Sequence, residues 1–586
     1  MPKRLRCTPS SSVSVSFYST NRRFFHATLL SFIMVASDAL RPPAASLRRR
    51  LQPPTKLGMA ITTSSDVIDN ADSSDNTTDN NDIEMKHLVL VGGGHAHVQV
   101  LKALNRAARP ANLRVTLIDQ QRAASYSGMV PGCIANYYAP EDTLLQLEKL
   151  TAWAGIEFVC DHVVDVDPDR KLIYTRHGDA PIPFDALSLD IGSTSRDIDR
   201  VPGARAYTIP TRPIDQLIRR LDRARQELDD QASAATLDDP AAPVVLPPRL
   251  VIVGGGVAGI ELALSITSRW KDYRPQTTLL DAGQELLPDE SPAARTKLAA
   301  LLQAKGIHVQ HGAAVERIEE DRVVLQKDGQ SIPFSHCVWA TGAGAHALAH
   351  HLSSVRGIAA TPRGWIRVGP TLQSVSHPHI FSAGDCAHME GLEAGSPPKA
   401  GVYAVRAGPI LIDNLTRFLV GDGPVHKQGH PSLAPPPLRA TSPCDHAPLQ
   451  RYEPQGDFMK LLVCGNGEAL GLRFGLALYG KWVFAVKDRI DQNFMNLFRR
   501  LPSLENIAPG SYDTSQYDAP ENNQDLAGLE TPTASEAAAL LQRTDDEVDW
   551  RLAWHVLRTM TQDKDYRNEV LECVEKNKDA VVLEAV

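Results

Sequence analysis

With 586 residues, 43% hydrophobic and 22% charged, the chain has the composition of soluble globular protein and is too long for one ordinary core, so two or three domains are expected. A formal net charge of -8 supplies no broad basic field to neutralise phosphates, which argues against a nucleic-acid partner. The eight cysteines (Cys7, Cys133, Cys160, Cys337, Cys386, Cys444, Cys464, Cys573) form no CxxC and no cluster with histidine, which argues against a disulfide framework or a structural metal.

Residues 1–57 carry many basic groups (Lys3, Arg4, Arg6, Arg22, Arg23, Arg41, Arg48, Arg49 and Arg50) against one acid, Asp38, the composition of a targeting peptide. The apolar run Ala27–Ser37 inside it is too short to span a bilayer and reads equally as a secretory core. A two-part organellar signal for a plastid, or a mitochondrial address, is the expectation. Residues 58–84 then read as a linker, because Asp, Asn, Ser and Thr cannot bury enough surface to order a chain.

From Met85 one pattern occurs twice. His87–Val91 is a short apolar strand leading to Gly92-Gly93-Gly94, and a second strand, Leu113–Ile118, ends at Asp119. Leu250–Val253 leads to Gly254-Gly255-Gly256, and Thr277–Leu280 ends at Asp281. In each copy the acid lies 25 residues after the third glycine, near the spacing of a dinucleotide-binding unit. Strands closing on small residues follow each copy: Phe184–Ser193, Val338–Gly342, and Ile380–Ser382 delivering Gly384 and Asp385. Soft stretches at Asp229–Pro248 and Gly421–Leu449 read as linkers or surface insertions.

The second copy is a full GxGxxG in the strand–turn–helix context it requires. Gly254 permits the tight turn, Gly256 lets backbone approach a diphosphate, and Gly259 lets helix pack on strand. Asp281 would accept hydrogen bonds from ribose hydroxyls and repel a 2'-phosphate, favouring NADH over NADPH. The first copy reads Gly92-Gly93-Gly94-His95-Ala96-His97, with histidine in place of the last glycine. His95 and His97, two apart on a helix start, point to different faces, so a metal site is not expected there.

Over residues 86–412 the chain resembles the two-dinucleotide flavoproteins, the pyridine nucleotide-disulfide reductase and type II NADH dehydrogenase superfamily. A closer resemblance, through GGGHAHV (Gly92–Val98), YSGMVPG (Tyr126–Gly132), PPKAGVYAVRAGP (Pro397–Pro409) and KLLVCGNGEALGLRFG (Lys460–Gly475), is to the flavoprotein found fused to the N-terminus of selenide, water dikinase. The resemblance implies FAD at Gly92, Gly94, Asp119, Gly384 and Asp385, and His95 and Gly342 are further cofactor-binding candidates. It implies NAD(P)H at Gly254, Gly256, Gly259 and Asp281, and places Glu261 near the nicotinamide and the flavin. It also implies that the helix after Pro398, with Lys399, faces the flavin and stabilises negative charge there.

The expected architecture is α/β: an FAD domain (85–210 and 336–415) split by an inserted NAD(P)H domain (211–335), an insertion at 416–450, and an α+β C-terminal region (451–586). Cys133 has no partner at CxxC or CxxxxC spacing, so the reduced flavin is expected to pass electrons directly to a quinone or other small acceptor rather than through thiols. The alternatives are a redox-sensing flavoprotein with slow turnover and a reductase of selenium compounds. Val486, Ile490, Phe494, Leu497, Phe498 and Leu501 share one helical face, flanked by Lys487, Arg489, Arg499 and Arg500. That face suits a core, a homodimer interface or peripheral membrane contact.

Overall fold

The computed structural model describes residues 84–235, 246–421, 448–505, 507 and 526–584. The expected targeting peptide lies outside them, as do nearly all of the linker after it, residues 236–245, and residues 422–447 of the insertion.

Strand β1 (Lys86–Val91, KHLVLV) buries its last five residues without alternation, the mark of a parallel strand covered on both faces. It turns through the glycines into helix α1 (His95–Ala103), and β2 (Leu113–Asp119), β3 (Glu157–Cys160) and β4 (Ala186–Leu189) follow. A small antiparallel sheet, Val163–Asp167 with Leu172–Thr175 and Ile182–Pro183, connects β3 to β4. The chain then builds a second parallel sheet from β5 (Ile209–Pro210), β6 (Arg249–Val253), β7 (Gln276–Leu280), β8 (Ile307–Gln310) and β9 (His336–Trp339). Helix α2 (Ile214–Ala235) separates β5 from β6, and α3 (Val257–Arg269) separates β6 from β7. It returns to the first sheet as β10 (Ile380–Ser382) and continues into α4 (Gly401–Val420).

The two sheets have the orders β10-β4-β1-β2-β3 and β5-β9-β6-β7-β8, with every pairing parallel. The duplication in sequence is thus a duplication in topology. In each sheet the order reverses beside the strand that feeds the glycine turn, the place where open α/β sheets bind ligands.

The C-terminal region is an antiparallel meander of β11 (Lys460–Gly465), β12 (Glu468–Arg473) and β13 (Leu476–Gly480), followed by helices α5 (Lys481–Arg499), α6 (Ala534–Gln542), α7 (Trp550–Gln562) and α8 (Lys564–Glu584). It has its own core around Trp482, Leu541, Trp554 and Met560. It also completes the other two, since Leu462 and Cys464 enter the core of the second sheet and Phe494, Met495 and Phe498 that of the first. Polar ties reinforce the join: Lys305 to Glu468 at 2.8 Å, Ser291 to the Gly475 carbonyl at 2.6 Å, and Lys460 to Glu290.

Several expectations change. Helix α2 continues to Ala235, so Asp229–Ala235 is not linker: the helix packs Leu217, Leu221, Ala224 and Leu228 into the second core. Strands β5 and β9 both belong to the second sheet, so residues 209–210 and 336–339 join the unit of the second glycine motif rather than that of the first. Helix α4 runs through the boundary expected at 415/416. Finally, Val486, Phe494 and Phe498 on the apolar face of α5 are buried against protein, while Ile490, Leu497 and Leu501 are half-buried. Among the described residues no helix is long and apolar enough to cross a membrane.

Candidate functional site

A cavity of about 1260 Å³ opens where the carboxyl ends of the two parallel sheets face each other. Its wall includes Gly92, Gly94, His95, Asp119, Gly254, Gly256, Glu261, Asp281, Gly342, Asp385 and Lys399, gathered from both motifs and both later strands. Single-ligand clefts run to about 1,000 Å³, so the space exceeds what one small molecule needs. Gly259 and Gly384 do not line it; Gly384 lines a smaller cavity that shares Asp385 and Lys399 with it.

Both motifs are forced to begin with glycine. Gly92 has φ +90° and a Cβ there would lie 2.4 Å from the Asp190 carbonyl oxygen; Gly254 has φ +124° and a Cβ would lie 2.3 Å from that of Ala340. At Gly259 a Cβ would meet the Gly254 carbonyl oxygen at 1.9 Å, so helix and turn touch as the motif requires. His97 occupies the corresponding place in the first copy and substitutes a hydrogen bond for that close approach. Its Nδ1 lies 2.6 Å from the Gly92 carbonyl oxygen and its Nε2 2.8 Å from Ser188 Oγ. Burial lowers its pKa to about 4, so the ring is neutral and structural.

Asp119 accepts the Gly93 and Gln121 amides, each at 2.7 Å, and burial raises its pKa. Asp281 accepts the Gly283 amide at 3.2 Å and lies 3.2 Å from His311 Nδ1. Each carboxylate thus sits at the end of the second strand of its unit, the position suited to ribose hydroxyls. Asp385 accepts from Ser193 Oγ at 2.7 Å and is met by Arg212 at 3.5 Å.

Three further groups set the electrostatics. Glu261, in the first turns of α3, accepts the Val463 amide at 2.9 Å; burial raises its carboxyl to about 7, partly offset by Lys487. His95 has a buried Nε2 without a hydrogen-bond partner, and burial lowers its pKa to about 4. Lys399 donates to the Ala387 carbonyl and stands 4.6 Å from the centre of the Trp365 ring; burial lowers its pKa. Its ammonium is therefore already anchored at the cavity wall.

Sequence reasoning missed two features. Asp190, directly after β4, places its carboxylate against the start of α1, accepting the amides of Ala96 at 3.0 Å and His97 at 3.3 Å. Setting LSLDIGS beside CVWATGA would have shown an acid where the second copy has Ala340. The other is Lys487, read from sequence as a flanking basic group. It is buried, donating to the Gly128 carbonyl at 2.7 Å and Asp491 at 2.8 Å, while Tyr126 donates to the other oxygen of Asp491 at 3.1 Å. Burial opposes the Lys487 charge, but Asp491 and Glu261 outweigh it and hold the pKa above its usual value.

The first motif fits FAD through its tight glycine turn, the acid Asp119 at the end of the second strand where ribose hydroxyls would reach it, and Asp385 on the same cavity wall. Equivalent features for NAD(P)H stand at the second.

Comparison with known proteins agrees. The chain is 23% identical over 402 residues to the demethylphylloquinone reductase NdbB of Synechocystis, covering 67% of this chain and 88% of that protein. It is 22% identical over 352 residues to the type II NADH:quinone oxidoreductase of Staphylococcus aureus, covering 58% and 84% respectively. Its fold is that of NDH2 from Plasmodium falciparum (TM-score 0.57, 12% identity, 72% of this chain and 95% of that one). It is equally that of the sulfide:quinone oxidoreductase of Aquifex aeolicus (TM-score 0.53, 17% identity, 72% and 94%). The model of the pyridine nucleotide-disulphide oxidoreductases matches residues 86–408. The chain therefore belongs to the pyridine nucleotide-disulphide oxidoreductase family and is an oxidoreductase with FAD and NAD(P)H as its cofactors.

Proposed function

We propose that the protein oxidises NADH and passes the electron pair to a quinone or another small acceptor without a thiol relay. The observation that carries this reading is the single cavity into which both glycine motifs open, with Glu261 on its wall between the second motif and the C-terminal sheet. FAD, when bound, supplies the chemistry by taking hydride from NADH and releasing electrons to the acceptor. The residues of the first motif would hold it: Gly92 makes the tight turn, Gly94 keeps the helix start free of a side chain, Asp119 would receive ribose hydroxyls, and Asp385 would bind toward the start of α4. Gly254, Gly256 and Asp281 would orient NADH in the same way, and Gly342 lines the same cavity.

None of the described residues on the cavity wall is a cysteine. Burial pushes the thiols of Cys133 and Cys386 up to about 11, so both are protonated near neutrality and poor nucleophiles. Both observations support direct transfer to the acceptor. The quinone is favoured by the similarity to the two quinone-reducing relatives.

The test is NADH oxidation by the purified chain, followed by flavin absorbance with and without a short-chain quinone. Bleaching by NADH and reoxidation on quinone addition is the expected result. Bleaching without reoxidation would remove the quinone and leave a slow sensor or another acceptor; absence of bleaching would remove the dehydrogenase reading.

A further inference from the structure

The two motifs can be set against each other, and besides His97 in place of Gly259 they differ at the strand end that faces each glycine turn. After β9 the residue whose carbonyl forces Gly254 is Ala340; after β4 the residue whose carbonyl forces Gly92 is Asp190. Above the second helix the space is open, since a Cβ built on Gly256 meets nothing within 4 Å. Above the first it is filled, because a Cβ on Gly94 would fall 2.2 to 2.3 Å from the Asp190 carboxyl atoms. The same carboxyl lies 2.5 Å from a Cβ built on Gly384, so it is wedged between the start of α1 and the strand end that delivers Asp385.

The N-terminus of a helix in this setting is where a dinucleotide diphosphate binds. In this chain the amides of Ala96 and His97 are spent on Asp190, and the carboxyl lines the cavity. An ionised Asp190 would set a third negative charge against the two of a diphosphate at contact distance, in a place with little water to screen it. A neutral carboxyl instead has an O–H to donate to a diphosphate oxygen, and loosens its hold on the two amides.

We infer that Asp190 makes the first dinucleotide site proton-coupled: it binds the FAD diphosphate as a neutral acid, so that uptake of FAD is accompanied by uptake of one proton from solvent. The inference rests on the assignment of FAD to the first motif. Burial already holds the Asp190 carboxyl up to about 7, against the pull of the His97 and Ala96 amides and with a push from Asp385 and Asp119. An arriving diphosphate raises it further.

The charged and titratable groups around Asp190 are Asp119, Asp385, Cys386, His95, His97, Lys399 and Arg212. His95 and His97 stay neutral with pKa values near 4, and Cys386 stays protonated with a value near 11. Glu261, the other carboxyl near 7, belongs to the second motif.

The experiment is titration of the deflavinated full chain with FAD between pH 6 and 8.5, read by flavin fluorescence, for the natural protein, Asp190→Asn and Asp190→Ala. The natural protein is expected to lose affinity about tenfold per pH unit above roughly pH 7, the slope of one linked proton. Asp190→Asn keeps the shape and the donor and is expected to bind within about threefold of the natural protein at pH 6, with no slope above it. Asp190→Ala reproduces what the second motif already tolerates at Ala340 and is expected to be flat as well. A flat profile in the natural protein, or an unchanged slope in both variants, would overturn the inference while leaving FAD binding intact. Failure of the natural protein to bind FAD at any pH would overturn it together with the assignment it rests on.

Discussion

Glu261 answers to two neighbours at once. Its carboxyl faces the cavity and also receives an amide from β11, and burial holds it near 7. A carboxyl whose folded pKa is raised folds more readily as the acid, so the protein loses stability as pH rises from about 4.5, the unfolded value, to about 7, and is level above that. Glu261→Gln keeps the acceptor for Val463 and abolishes the titration. The thermal midpoint of the variant, relative to the natural protein, is expected to be higher at pH 8 than at pH 5; a difference independent of pH would show that Glu261 is charged when folded. Residues of this kind divide by what fixes them. Gly92, Gly254, Asp119 and Asp281 were legible because a turn and a spacing of 25 residues are local constraints. Asp190 was not, because its partners Ala96 and His97 lie 94 and 93 positions earlier in the chain, and only the pairing of β4 with β1 brings them together.

Helix α5 shows what periodicity conveys and what it withholds. The spacing of Val486, Phe494 and Phe498 identified an apolar face, and that face is real. Periodicity does not say what covers a face; here it is Tyr126, stacked on Phe494 at 4.8 Å, together with the first core. Lys487, read from sequence only as a basic group flanking that face, lies on the same side, and the turn-spaced partner Asp491 and the Gly128 carbonyl make its burial tolerable. Removing one member of such a pair leaves an uncompensated buried charge, which costs roughly 3–5 kcal/mol. Lys487→Met is therefore expected to destabilise the protein by about that amount in urea unfolding, and Lys487→Met with Asp491→Leu to recover a large part of it. A single variant as stable as the natural protein would mean that water reaches the pair.

At the scale of the molecule, the duplicated sheet order could be read from the duplicated motif, whereas its edges could not. β5 has only two residues, too few to show any hydrophobic period, and it is a strand only because β9 pairs with it. The role of the C-terminal region was equally hidden, since its ties are made to loops and helices far away in sequence. Those ties have a consequence for how the protein comes apart. The meander is fastened to the second sheet through Glu468, Gly475 and Val463, and its helix to the first sheet through Phe494, Met495 and Lys487. A unit that opened alone would have to strip all of these, so the second sheet and the meander should behave as one foldon. In native-state hydrogen exchange the amides of β6, β7, β11 and β12 are then expected to lose protection together at one denaturant concentration, and earlier release of β11 and β12 would contradict this. Breathing of the second sheet, if it occurs, carries the C-terminal region with it.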